Sequence, residues 1–179
     1  MRKEIQLPLT KEQAKTLKAG DMCFATGVLY TARDAAHKRM YDSLLNGEEI
    51  PISLEETALY YLGPTPAREG NVIGSAGPTT ASRMDKYTPL LLGKGVSAVI
   101  GKGKRNEEVH RAIKEHGAVY FAAIGGAGAL LSKCIKKAEV IAYDDLGTEA
   151  IRRLEVEQLP VVVIIDTMGN DYYEMVEKE

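Results

Sequence analysis

Ser97-Ala98-Val99-Ile100-Gly101-Lys102-Gly103-Lys104-Arg105-Asn106 leads through Glu107 to His116-Gly117 into Val119-Tyr120-Phe121-Ala122-Ala123. This stretch reads as strand, helix, strand. Ser97 to Gly101 is a short apolar run of buried-strand type, and Asn106 opens a helix that closes near His116-Gly117. Val119 to Ala123 is apolar again. Alternation of this kind predicts a mixed α/β domain.

The rest of the chain repeats the alternation. Toward the N-terminus, Ile5 to Leu9 reads as a strand. Thr10 and Gln13 form a capping box for a short helix to about Lys18. Met22 to Thr31 reads as a strand interrupted at Gly27. In Arg33 to Asn46, Ala36, Met40 and Leu44 recur on one helical face, and Gly47 stops the helix. Ala58 to Leu62 and Val72 to Ser75 are further strands, separated by Gly63-Pro64-Thr65-Pro66, which cannot be regular. Thr80 or Ser82 caps a helix to about Leu92. Beyond the opening stretch, Gly125 to Lys137 reads as a glycine-led helix. Val140 to Tyr143, Arg152 to Val156 and Val161 to Asp166 read as strands, with Pro160 parting the last two, and Tyr172 to Glu179 as a helical tail. No long βαβ series is present, so a plain doubly wound fold is not expected. The expectation is a single domain over residues 1–179, α/β, with small separate sheets and a helical layer.

Composition narrows the function. The chain has 179 residues, 45% hydrophobic and 27% charged, with a formal net charge of -2. Nothing in that balance points to nucleic acid or an anionic membrane. No apolar run approaches the ~20 residues that span a bilayer. Met1-Arg2-Lys3-Glu4 does not lead into a secretory segment, so a cytoplasmic protein is expected. The two cysteines, Cys23 and Cys134, cannot supply the three or four thiolates of an iron–sulfur cluster. The histidines His37, His110 and His116 lack zinc-type spacing.

Three segments set cations beside glycine turns at strand ends. In Gly27 to His37, Arg33 stands where a strand hands over to a helix. There a guanidinium can join helix N-terminal N–H groups around an oxyanion, or it can simply pair with Asp34 or His37. In Gly74-Ser75-Ala76-Gly77-Pro78-Thr79-Thr80-Ala81-Ser82-Arg83-Met84-Asp85, four hydroxyls flank a tight turn before Arg83. That donor set suits a carboxylate or a phosphate; the alternative is a helix cap with an Arg83–Asp85 pair. In Ile100-Gly101-Lys102-Gly103-Lys104, a lysine sits between two glycines that let backbone approach a ligand. The alternative is a solvated turn, and the segment lacks the Gly-Lys-Ser/Thr ending of a nucleotide loop. Gly125 to Gly128 is a fourth glycine cluster. Two arginines and a lysine beside hydroxyls suit a small polyanion. A hydroxyl elimination on a dicarboxylate would need such clamps, a base at carbon and a Lewis acid. The chain offers clamps and possible bases but no Lewis-acid site.

These segments resemble the β subunit, or C-terminal domain, of class I fumarate hydratases and the related L-tartrate dehydratases. The likeness also takes in Leu159-Pro160-Val161 and Asp166-Thr167-Met168-Gly169-Asn170-Asp171, and it runs from about Leu7 to Asp171. Gly-Pro-Thr-Thr-x-x-Arg-Met-Asp is its most specific part. The resemblance implies a swivelling β/β/α domain. It implies a partner α subunit carrying a 4Fe-4S cluster, with no cofactor in this chain, and a small dicarboxylate substrate, fumarate or malate. L-tartrate or a methylfumarate are the alternatives, and a non-catalytic anion-binding module is the alternative of another class. It further implies that Arg33, Arg83 and Lys102, with Thr80, bind substrate and that Thr79 is the base at C3, with Lys104 an alternative to Lys102. The sequence departs from the fused single-chain form of the family, so a separate cluster-bearing chain is expected.

Overall fold

The computed structural model describes residues 2–124 and 128–178; Gly125, Gly126 and Ala127 of the fourth glycine cluster lie outside them. The stretch 97–123 folds as its pattern predicts, into β4 (Ala98–Gly101), α4 (Glu107–His116) and β5 (Val119–Ala123). Asn106 caps α4, its side chain accepting the Val109 N–H at 2.9 Å, and Gly117 ends the helix at φ 67°. Before it come β1 (Arg2–Leu7), α1 (Lys11–Lys15), β2 (Met22–Thr31), α2 (Asp34–Leu45), β3 (Ala58–Tyr60) and α3 (Thr88–Gly93). After it come α5 (Gly128–Ser132), β6 (Ile135–Ala142), β7 (Ile151–Ile165) and α6 (Tyr172–Glu177). Short 3-10 turns occupy Ala81–Met84 and Asp144–Glu149.

The described strands join one seven-stranded mixed sheet, where separate small sheets were expected. β2, β3, β4 and β5 lie side by side in parallel. β7 then pairs antiparallel with β5 and also with β2, which closes the five strands into a ring. β1 adds to β2 and β6 adds to β7. The joining element is β7 itself. Its 15 residues unite the two strands that Pro160 was expected to part. A bulge absorbs the irregularity: Gln158 takes φ 54° with its N–H on Thr26 Oγ1, and the β2 register shifts between Ala25 and Gly27. Pro160 keeps its carbonyl in use, accepting the Ile124 N–H at 3.0 Å.

Side-chain alternation sorts the core into two clusters. Ala58 and Tyr60, Ala98 and Ile100, and Val119 and Phe121 turn into the ring, against Leu154, Val156, Leu159 and Val161 of β7. Their neighbours Leu59, Val99 and Tyr120 face outward onto Met40 of α2, Leu91 and Leu92 of α3, and Val109 and Ile113 of α4. The layers are therefore strand, strand, helix. Gly27 sits at φ 134° opposite Leu7, where an added Cβ would overlap the Leu7 carbonyl. That overlap explains the glycine inside a strand.

Three local expectations differ. The helix read from Thr80 or Ser82 to Leu92 is broken into a 3-10 turn and α3, and neither hydroxyl caps it. Pro89, with no N–H to give, opens α3 instead of lying inside a longer helix. Val72 to Ser75 is loop rather than strand. The helix read from Gly125 to Lys137 ends at Ser132 in the described residues, and Ile135 begins β6, because the free edge of β7 takes it as a partner. No helix among the described residues is long and apolar enough to cross a membrane.

Candidate functional site

The segments singled out in the sequence meet at the carboxyl ends of the parallel strands β2, β3 and β4. Backbone hydrogen bonds carry the arrangement past the strands. Ala32 N–H donates to the Tyr60 carbonyl at 3.0 Å, and Tyr61 N–H to that of Ile100 at 2.8 Å. Thr79 N–H donates to the Tyr61 carbonyl at 2.7 Å, and Ala81 N–H to that of Lys102 at 2.8 Å. Thr80 and Lys102 form an isolated parallel bridge. Residues 79–81 thus lie as a short strip between the ends of β3 and β4. Arg33 leaves the end of β2, and Lys102 the end of β4.

Arg33 is the N-cap of α2, and its side chain lies across Gly63. A Cβ there would come within 2.8 Å of Arg33 Cδ, which gives Gly63-Pro64 its place in the motif. Arg83, on the 3-10 turn, comes to the same carboxylate as Arg33. Asp34 Oδ1 is 3.7 Å from Arg33 Nε, and Asp34 Oδ2 is 3.8 Å from Arg83 Nε. Both pairs exceed hydrogen-bond length. The Arg33–Asp34 contact weighed from sequence is therefore present but loose. The contact with His37 runs through backbone, its Nδ1 lying 2.9 Å from the Arg33 carbonyl. The Arg83–Asp85 pair does not form; Asp85 turns to Arg105 instead. Lys102 is exposed and has no ionic partner among the described residues, whereas Lys104 is held by Glu177 at 2.6 Å. The Thr79 hydroxyl is half-buried and has no hydrogen-bond partner among the described residues.

Behind this edge lies a buried polar network that sequence reasoning missed. Arg105 donates from Nε to Asp85 Oδ1 at 2.6 Å and from Nη2 to Thr88 Oγ1 at 2.8 Å and Tyr61 Oη at 3.1 Å. Its guanidinium also lies over the rings of Tyr61 and Tyr120. Asp85 Oδ2 accepts the Asn106 N–H at 2.9 Å, which ties the Arg83 turn to the start of α4. Burial works against the Arg105 charge, but Tyr61 and Asp85 outweigh it and its pKa is raised. Arg105 follows Gly101-Lys102-Gly103-Lys104 inside a longer polar run, and nothing in that run marks it as the buried cation. His37, read from sequence as an alternative surface partner of Arg33, is instead fully buried and packed against Tyr61 and Tyr87.

Burial pushes the His37 pKa down to about 4; the nearby Arg105 charge adds to the fall, and the hydrogen bond to the Arg33 carbonyl opposes it. The unfolded chain then binds a proton near pH 6.5 that the folded chain refuses until about pH 4. The stability tied to neutral His37 is complete above pH 6.5 and is lost as pH falls toward 4. At about 1.4 kcal/mol per pKa unit the loss amounts to roughly 3 kcal/mol. Urea unfolding between pH 7 and 4 should show this slope, and His37→Phe should flatten it. An unchanged slope in His37→Phe assigns the dependence to other groups.

The chain's own residues do not fit an iron–sulfur cluster. Cys23 is fully buried, with its thiol pKa pushed up to about 11 by burial, and Cys134 stands as a second free thiol. Among the described residues, His110, Asp171 and Glu174 bring ligand atoms within 4.8 Å of one another. Asp171 is already engaged there, capping α6 and facing His110 Nε2 at 3.1 Å. A cleft of about 450 Å³ lined by Gly70, Ile73, Lys133 and Lys136 includes none of the site residues. The cationic edge itself is open, with Thr80, Arg83 and Lys102 exposed.

Known proteins are similar to this chain in sequence over most of its length. The family described as Fumarase C-terminus matches residues 1–176. A protein of Methanocaldococcus jannaschii named "Putative L(+)-tartrate dehydratase subunit beta" is 38% identical over 177 residues, covering 96% of this chain and 91% of that protein. Fumarate hydratase 2 of Leishmania major is 38% identical over 174 residues, 95% of this chain but 31% of its own length. The aerobic class I fumarate hydratase of Escherichia coli K12 is 39% identical over 153 residues, 84% of this chain and 28% of its own. The chain thus spans about a third of the fumarate hydratases it matches and nearly all of the tartrate dehydratase subunit. It belongs to the Fumarase C-terminus family.

Proposed function

We propose that this chain is the β component of an iron–sulfur hydro-lyase that interconverts fumarate and (S)-malate, acting in the cytosol with a cluster-bearing α subunit. The observation that carries this reading is the convergence of Arg33, Arg83 and Lys102 beside Thr79 on one open strand edge. Three cations, one of them free of any described partner, suit a substrate with two carboxylates. The open edge suits a site completed by another chain. The strand–strand–helix layering supports a swivelling β/β/α domain, which would carry this edge to and from the partner.

The residues divide the work. The Arg33 and Arg83 guanidiniums grip substrate carboxylates through paired N–H donors, and Lys102 adds a point charge, with the Thr80 hydroxyl beside it. Thr79 exchanges the proton at C3: in the dehydrating direction the C3–H pair becomes the C2=C3 bond as hydroxide leaves C2. A hydroxyl is a weak base, and the surrounding cations lower the cost of its ionised form. A 4Fe-4S cluster held by the α subunit would supply Lewis acidity toward the C2 hydroxyl.

L-Tartrate is the second reading, because the relative matched over nearly its full length is named for a tartrate dehydratase. The test is to mix this chain, without oxygen, with a reconstituted α subunit from the same source and follow fumarate by its ultraviolet absorbance. Turnover in the mixture and in neither part alone is the expected result. Turnover of tartrate alone would move the substrate and keep the architecture. No turnover of any diacid by a verified complex with an intact cluster would leave a non-catalytic anion-binding module.

A further inference from the structure

Two cations from distant segments share one carboxylate at the edge of the site. Arg33 is the N-cap of α2, two residues past the end of β2, and Arg83 rides on the 3-10 turn; Asp34 is the side chain that both approach, at 3.7 and 3.8 Å. Neither approach is a hydrogen bond. Arg33 Nε and Asp34 Oδ1 are enclosed without a hydrogen-bond partner among the described residues. Asp34 therefore attracts both guanidiniums while leaving their N–H donors uncommitted. It stands in the first turn of α2. The α2 start is itself fixed, since Ala35 N–H donates to Glu149 Oε1 at 3.1 Å.

Resting on the dicarboxylate reading above, we propose that Asp34 is the positioning residue of this site: its carboxylate holds the Arg33 and Arg83 guanidiniums side by side with their donors free for substrate. Without it, two like charges on one face repel and spread. Asp34 also sets the charge of the site. Arg33, Arg83 and Lys102 carry three positive charges, and Asp34 offsets one of them beside a substrate that is itself a dianion. A plain acidic residue at a helix start would do neither. It would act on α2 stability and would be indifferent to substrate.

Asp34→Asn in the assembled enzyme should lower kcat by about tenfold or more, the scale expected when binding groups are misplaced. Thermal stability should change little, and Asp34→Glu should recover part of the loss. Anions of higher charge, with citrate as the probe, should inhibit Asp34→Asn more tightly than wild type. A fall in thermal stability with kcat and citrate inhibition unchanged would overturn the proposal and leave a helix-start residue. A second readout needs no turnover. In the full chain labelled with nitrogen-15, the Nε–H resonances of both Arg33 and Arg83 should move in Asp34→Asn and in Asp34→Glu. Movement of Arg33 alone, its sequence neighbour, would overturn the bracket. If the wild-type assembly turns over no diacid, the functional reading fails, and the resonances still decide whether Asp34 joins the two arginines.

Discussion

Arg83→Met in the assembled enzyme is expected to lower kcat/KM for fumarate by about 10²–10³-fold, the usual cost of removing one charged donor from a reacting anion's site. The fold should survive. The Arg83 side chain is 55% exposed and its pairing with Asp34 is loose at 3.8 Å. Exposed ion pairs of this kind contribute about 0–1 kcal/mol, so the thermal midpoint should stay close to wild type. The other change at the site is the loss of a planar fork, which a methionine stem of similar length cannot supply. Arg83→Lys separates charge from fork: it restores the point charge without the paired donors and should recover only part of the activity. Melting curves and steady-state rates on the same preparations decide the matter. Lost folding together with lost activity would make Arg83 a structural ion-pair residue and remove it from the clamp.

Local elements were more legible in the sequence than the framework that joins them. Short-range patterns gave the 97–123 unit and α2, because their caps and apolar spacing are local. The α2 start at Asp34, just past Arg33, lies where the fourfold spacing of Ala36, Met40 and Leu44 puts it. Glycine turns at strand ends pointed to Arg33, Arg83 and Lys102, and hydrogen bonds between strand ends bring their segments together. What sequence could not supply was long-range. β7 reads as two strands because Pro160 is a local breaker, and only pairing with β2 across more than a hundred residues shows how a bulge at Gln158 absorbs it. The Asp85 partner was sought two residues away at Arg83, yet it is Arg105, twenty residues on and on the far side of β4. Burial decides that choice, and a Gly-Lys-Gly-Lys-Arg run gives no sign of which cation goes inside.

That hidden pair sets the second large effect. Asp85→Asn should destabilise the chain by roughly 3–5 kcal/mol, the cost of leaving a buried charge without its counter-charge. The Arg105 side chain has no exposure and that of Asp85 only 9%, so water cannot take the place of the lost carboxylate. For a domain of this size the thermal midpoint should fall by roughly 10 °C. The asparagine keeps an oxygen for the Asn106 N–H, so the loss reports on charge rather than on the cap of α4. Activity should fall as well, even at temperatures where the chain stays folded, because the same carboxylate anchors the turn that presents Arg83. The double variant Asp85→Asn/Arg105→Met removes the stranded charge and should regain at least half of the lost stability. It should not regain the activity to the same degree, since the strut from the Arg83 turn to Tyr61 and Thr88 is still missing. A double variant no more stable than Asp85→Asn would mean that the hydrogen bonds from Arg105 to Tyr61 and Thr88, rather than the ion pair, hold this part of the core.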